Sequence, residues 1–235
     1  MDFAKFVALL EARALYFSRA DKLGDPFEGA TGLKDRLPVW ETFYRDFFRK
    51  AVATVPGQNQ PPSEEVLARE SERLLADFKK IGERDRLRVF ASCWHANSVE
   101  SEALWRLYCP PPAAGVAIRT NVAALETSLG QEAQVKIGRV QYIDFKQGFA
   151  GLHDRIFWKR KSLAHEAEVR AIIEEFDPQA EMGRAVPVNL QTLILGVVPS
   201  PYAPNWFAEL IAKTLTRYGL NAPVEHSELL SEPFF

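Results

Sequence analysis

Apolar residues recur along this chain in two periods, and the order in which those periods alternate limits the fold more than any bulk property. Phe3, Phe6, Val7 and Leu10 repeat at helical spacing, whereas Leu15-Tyr16-Phe17-Ser18 reads as a short aromatic strand. From about 36 to 85 the pattern is helical throughout. Leu37, Trp40, Tyr44, Phe47 and Phe48 mark one amphipathic helix, and Leu67, Leu74, Phe78 and Ile81 mark a second, with Glu64 and Glu65 near its start. The polar segment Pro56-Gly57-Gln58-Asn59-Gln60-Pro61-Pro62 separates them as a linker. The rest mixes strands (Val89–Trp94, Gly115–Arg119, Val135–Tyr142, Glu166–Ile173, Leu193–Val198, Val224–Leu229) with helices (Asn97–Tyr108 with Glu100 in a capping position, Val122–Leu129, Trp206–Tyr218). Pro110-Pro111-Pro112 ends the helix before it. Strands and helices do not alternate strictly, so the expected class is α+β: a mixed β-sheet core with flanking helices and a helical hairpin inserted at about 36–85, within one domain spanning 1–235.

Composition narrows the function classes. The 235 residues are 47% hydrophobic, enough for a core, and the formal net charge of −2 argues against whole-molecule attraction to nucleic acid or anionic membrane. No membrane span is expected, because the longest aliphatic stretch, Leu193 to Val198, is far too short. Cys93 and Cys109 lack the spacing of a zinc ribbon or disulfide framework, and no basic leader with a long apolar run opens the chain; a cytoplasmic location is expected. GxGxxG, GxxxxGK[ST] and GxSxG are all missing, and the four histidines form no HExxH, so neither dinucleotide-fold chemistry nor a metal site is expected.

Chemistry concentrates in His165-Glu166-Ala167-Glu168-Val169-Arg170. Read as a strand, this segment sets Glu166, Glu168 and Arg170 on one face and Ala167, Val169 and Ala171 on the other. Upstream, Arg155-Ile156-Phe157-Trp158-Lys159-Arg160-Lys161 holds four cations among aromatics. It reads either as a solvated helix face or as a clamp for phosphate groups of a dinucleotide or nucleic acid. Asp25-Pro26-Phe27-Glu28-Gly29 looks like a capped turn, which by itself explains both carboxylates. Ser101, Trp105 and Tyr108 share a helical stripe that suits either core packing or stacking on a flat ring. Cys93 reads as a buried small thiol rather than a nucleophile.

Taken in order, Leu15-Tyr16-Phe17-Ser18, Asp25-Pro26-Phe27-Glu28-Gly29, Ser92-Cys93-Trp94-His95, Glu102-Ala103-Leu104-Trp105-Arg106-Leu107-Tyr108, Gly115-Val116-Ala117-Ile118, and Lys161 with the 165–170 segment resemble the bacterial domain of unknown function 2971 family over nearly the whole chain. Members of that family carry an aromatic–basic–Tyr strand before the first helix. Here Met1 falls where that strand would have ended, so either the chain starts inside a longer gene product or it lacks an edge strand. The strand–helix–strand opening and the late Glu-x-Glu strand are also similar in plan to ADP-ribosyltransferases. That second resemblance implies NAD as substrate in a toxin or phage-defence setting. Glu168 would stabilise an oxocarbenium-like ribose and Glu166 would orient the acceptor or act as base. Tyr108 or Trp105 would stack, Lys161 or Arg170 would meet the pyrophosphate, and Ser92, Asp25 and Glu28 complete the expected binding set; one NAD contact would be missing with the first strand. On this reading Glu168→Gln abolishes turnover and leaves the fold intact. Two alternatives stay open: a non-catalytic nucleic-acid- or protein-binding module using residues 155–161, and a purely structural pairing of Glu166 or Glu168 with Arg170, Arg119 or Lys161.

Overall fold

The computed structural model describes residues 1–54, 62–110, 114–130, 134–151, 154–175 and 181–235. The linker reading at Pro56–Pro61 and the last two residues of the triple proline lie outside them.

The chain opens with α1 (Phe3–Ala12), whose first turn is capped by Asp2 accepting from the Lys5 amide at 2.8 Å. β1 (Ala14–Arg19) buries Leu15 and Phe17 and exposes Tyr16, the alternation expected of a half-covered strand. α2 (Leu37–Ala53) and α3 (Glu64–Arg88) form the helical pair. Ser63 caps α3, acids occupy its first turn, and Arg86 and Arg88 its last, all favourable to the helix dipole. The two helices meet through aromatics: Trp40 stacks on Phe78 with ring centroids 5.5 Å apart, and Tyr44 and Phe48 pack edgewise or tilted on the same ring.

β2 (Val89–His95) leaves α3 directly and is followed by α4 (Glu102–Tyr108), β3 (Val116–Arg119), α5 (Val122–Leu129), β4 (Lys136–Arg139), β5 (Gln141–Ile143), β6 (Trp158–Arg160), β7 (Glu168–Glu174), β8 (Gly183–Pro187), α6 (Leu190–Leu193), β9 (Gly196–Pro199) and α7 (Trp206–Arg217). The main sheet has the order β4-β7-β2-β1-β8 and is antiparallel at every pairing, β3 pairs antiparallel with β9, and β5 pairs parallel with β6. This set of antiparallel and parallel sheets with flanking helices makes this an α+β protein. Among the described residues no helix is long and apolar enough to cross a membrane.

Register decides what each face of the main sheet carries. Ser92 lies opposite Ala171 and Cys93 opposite Arg170. One face therefore presents Leu15, Phe17, Phe90 and Ala171 to α1, α6 and α7, making the main core with Phe6, Leu10, Leu193, Phe207 and Ile211. The other face carries a smaller apolar cluster (Val89, Ala91, Ile172, with Ile156 against them) and, toward the same end, Cys93, His95, Glu168 and Arg170.

Several expected boundaries differ. The helix after β2 begins at Glu102 because Ser101, not Asn97, caps it, accepting from the Leu104 amide at 3.4 Å; Glu100 instead accepts from Trp105 Nε1 and Ser227 Oγ. The expected strand at 135–142 divides at Val140, whose amide turns to the Glu168 carbonyl at 2.9 Å. Leu193 closes a helical turn capped by Asn189, so β9 starts only at Gly196. In place of a strand at 224–229 there is a single bridge, Val197 to Val224, and a 3-10 turn at Glu228–Leu230. The strand expected from Glu166 begins two residues later: Lys161–Glu166 is a 3-10 turn, and Ala167 sits in the left-handed region at φ 40°.

Candidate functional site

The local chain path explains how the charges gather. The 3-10 turn closes with the Ala167 amide donating to the Ala164 carbonyl at 3.2 Å, and the left-handed residue then turns the chain into β7. Glu166 thus leaves the turn rather than the strand, while Glu168 and Arg170 occupy the same face of β7 as period two requires. The expected shared face survives for the latter pair only. Glu166 nevertheless comes back to it through Lys159, which β6 points between the carboxylates.

Arg170 is fully buried, and all five of its N–H groups are engaged. Nε donates to Glu168 Oε1 at 2.7 Å, and one terminal nitrogen donates to Glu28 Oε2 at 2.6 Å and to the Ile156 carbonyl. The other donates to Glu28 Oε1 at 2.8 Å and Glu168 Oε2 at 3.1 Å. Glu28 therefore holds the guanidinium fork-to-fork from 142 residues away in sequence. Lys159 Nζ donates to Glu168 Oε2 at 3.0 Å and to Glu166 Oε2, and lies 3.4 Å from Glu28 Oε1. Beside this group Asp25 accepts from the Phe27 amide at 3.1 Å and pairs with Arg160 at 2.7 Å, and Arg160 lies over the Phe27 ring.

Charge balance sets the protonation states. Burial works against ionised Glu168, but the hydrogen bond and charge of Arg170, with Lys159 behind them, outweigh it and hold the carboxyl down at about 2. Burial likewise works against charged Lys159 and Arg170. Glu166 and Glu168 hold the ammonium up, and Glu28 and Glu168 hold the guanidinium up. Three carboxylates (Glu28, Glu166, Glu168) face two cations (Lys159, Arg170), so one negative charge is in excess.

That excess lies toward solvent. The Glu166 side chain keeps 13% of its surface exposed against 2% for Glu28 and 6% for Glu168. Cys93, opposite Arg170 in the sheet, is solvent-exposed yet crowded. Desolvation raises its thiol pKa, Glu168 adds to the rise, and Arg170 opposes it. Tyr108 is exposed at 60%, and its hydroxyl is likewise raised, first by desolvation and then by the charge of Glu166, within whose electrostatic reach it lies. Tyr142 accepts from the Glu168 amide at 2.8 Å, and His95 Nδ1 is 2.6 Å from the Glu166 carbonyl.

The structure thus brings Glu168, Glu166, Arg170, Glu28 and Tyr108 together, with Asp25 alongside. It sets three expected residues elsewhere. Ser92 has the wrong strand parity and is buried in the main core. Trp105 is 7% exposed and spends its indole N–H on Glu100 at 3.1 Å, so it does not share an open platform with Tyr108. Lys161 is exposed and makes no ion pair among the described residues. The basic run is not one face either: Lys159 and Arg155 turn inward, Arg160 pairs with Asp25, and a continuous phosphate clamp is not formed. Nor does the turn at 25–29 account for Glu28 by capping. Residues that sequence reasoning passed over are Lys159, whose three-residue strand hides its alternation, and Cys93, which is exposed rather than buried. Comparison with models of protein families, with curated proteins and with solved structures finds no match.

Proposed function

We propose that the surface at Cys93 and Glu166 binds a substrate that develops positive charge, and that the reaction is glycosyl transfer from NAD. The observation that carries this is the surplus carboxylate charge at the rim: Glu166 shares Lys159 with two other acids and is the most exposed of the three. An oxocarbenium-like ribose passing beside it gains electrostatic stabilisation that the neutral ground state does not. Glu168, held ionised, keeps Lys159 occupied and so keeps Glu166 from being fully neutralised. Tyr108, exposed within electrostatic reach of Glu166, offers a ring on which nicotinamide or adenine stacks. Relative to the sequence-based assignment, the reacting side passes from Glu168 to Glu166, because both Glu168 oxygens are spent on Arg170 and Lys159. The motif order that resembles the domain of unknown function 2971 family, and the plan resembling ADP-ribosyltransferases, agree with this reading.

Nicotinamide release from NAD, followed by chromatography with and without cell lysate as acceptor source, tests it. Wild-type protein is expected to release nicotinamide. Glu166→Gln should lower turnover at least tenfold with a melting temperature close to wild type, and Tyr108→Ala should raise KM more than it lowers kcat. No release by the wild type, or full activity in Glu166→Gln, refutes the proposal.

A second reading has its own support. Every donor of Arg170 and both oxygens of Glu28 and Glu168 are satisfied internally, as in a network that only ties segments together. On that reading every substitution in the network acts through stability alone.

A further inference from the structure

A cleft of about 330 Å³ lies between the α2–α3 pair and residues 29–34, and its lining includes none of the charged residues of the carboxylate network. Its lining is cationic: Lys34, Lys79, Arg86 and Arg155 against the single carboxylate Glu83. Lys79 is held by Glu41 from outside the cleft. Lys34 and Arg86 make no ion pair among the described residues. Two donors in the lining, Arg86 Nε and Trp40 Nε1, are buried with no acceptor within reach among the described residues. Buried N–H groups are almost always matched, and these two belong to residues that line the cleft.

The chain is also shaped to bring a cation here. Gly82 falls mid-way along α3, where glycine is unfavourable to the helix, and a Cβ on it would stand 2.2 Å from an Arg155 guanidinium nitrogen. Arg155, only 8% exposed, lies across that bare helix surface and donates to Thr31 Oγ1 at 3.2 Å. Gly29, at φ +68°, lets the loop pass against the Arg86 side chain, where its Cβ would be 3.1 Å from Cγ. Two glycines thus admit two arginines to the same space.

We propose that this cleft is a binding site for a small phosphorylated molecule of mononucleotide size. Lys34 and Arg86, the two lining cations that make no ion pair among the described residues, outnumber Glu83 and select an anion, and a guanidinium supplies donors in the geometry that suits phosphate oxygens. The volume is within the range of small-ligand sites. The stacked Trp40–Phe78 pair closes one side.

Isothermal titration calorimetry of the full chain at low salt, with pyrophosphate, AMP and citrate as probes, tests the proposal. Pyrophosphate or AMP should bind, with affinity falling as salt rises. Lys34→Gln, at an exposed position in the 3-10 turn Lys34–Arg36, should weaken binding severalfold, and Arg86→Gln at least tenfold. Lys161→Gln, outside the cleft, should leave it unchanged. Binding unaffected by both cleft variants, no binding of either phosphate probe, or citrate binding as tightly as pyrophosphate would overturn it.

Discussion

Glu168→Gln separates stability from chemistry at the carboxylate network, and its size follows from the structure. The Glu168 carboxyl sits at about 2 in the folded chain against an ordinary 4.5. Each tenfold change in proton affinity is worth about 1.4 kcal/mol, so ionised Glu168 contributes roughly 3 kcal/mol to stability. Because the folded-state value is depressed, that contribution is present in full above about pH 4.5 and is lost as pH falls toward 2. The amide has no charge to lose. It also turns an N–H₂ toward Arg170 and Lys159, which are donors only, so the cost at pH 7 should be about 3–5 kcal/mol. Urea unfolding of wild type and variant at pH 7, 4.5, 3.5 and 2.5 measures the difference. Other acids titrate in both proteins and cancel when one curve is subtracted from the other. The gap should be largest at neutral pH and narrow steadily below about 4.5. A gap below about 1 kcal/mol at pH 7, or one independent of pH, would refute the picture of Glu168 as an ionised, internally paired carboxylate. On this reasoning a loss of turnover in Glu168→Gln must be read beside its stability.

Two further outcomes follow from local geometry. Cys93 should react with iodoacetamide at pH 8.5 at least tenfold more slowly than a free thiol despite its exposure, since desolvation and Glu168 keep it protonated; peptide mass spectrometry gives the rate. Ala167→Gly should raise unfolding free energy by about 0.5–1 kcal/mol in urea titrations, the left-handed cost to alanine exceeding glycine's added chain entropy; a loss would show that the Ala167 methyl does more than occupy a turn.

What was legible in the sequence was what depends on local period. Glu168 and Arg170 stand two apart in a β-branched run, so their common face follows from strand geometry alone. The α1, α2 and α3 helices were legible for the same reason, through their apolar stripes and caps. Parity relative to a partner strand was not. Ser92 and Cys93 are neighbours on a correctly read strand, and only the pairing with β7 decides which of them faces Arg170. Glu166 was misplaced because alanine carries no signal for a left-handed residue; the turn closed by Ala164 forces it. Glu28 was hidden by a sufficient local explanation, since a carboxylate in a capped turn needs no distant partner, and its Arg170 lies 142 residues on. β8 (Gly183–Pro187), bounded by glycine and proline, has too short an alternation to stand out.

The same long separations bear on what the site is for. Segments 25–28, 93–95, 159–160 and 166–170 approach one another only when the main sheet and the β5–β6 pair have both formed. A network that only tied these segments together would be served by equal numbers of acids and bases, or by apolar residues of similar volume, which are often no less stable. This one keeps a third carboxylate, shares Lys159 three ways, and leaves the surplus at the exposed rim within electrostatic reach of Tyr108. Removing Glu166 relieves the surplus, whereas removing Glu168 or Arg170 leaves partners buried and unpaired. Stability and reactivity should therefore divide between positions 166 and 168, two residues apart in sequence.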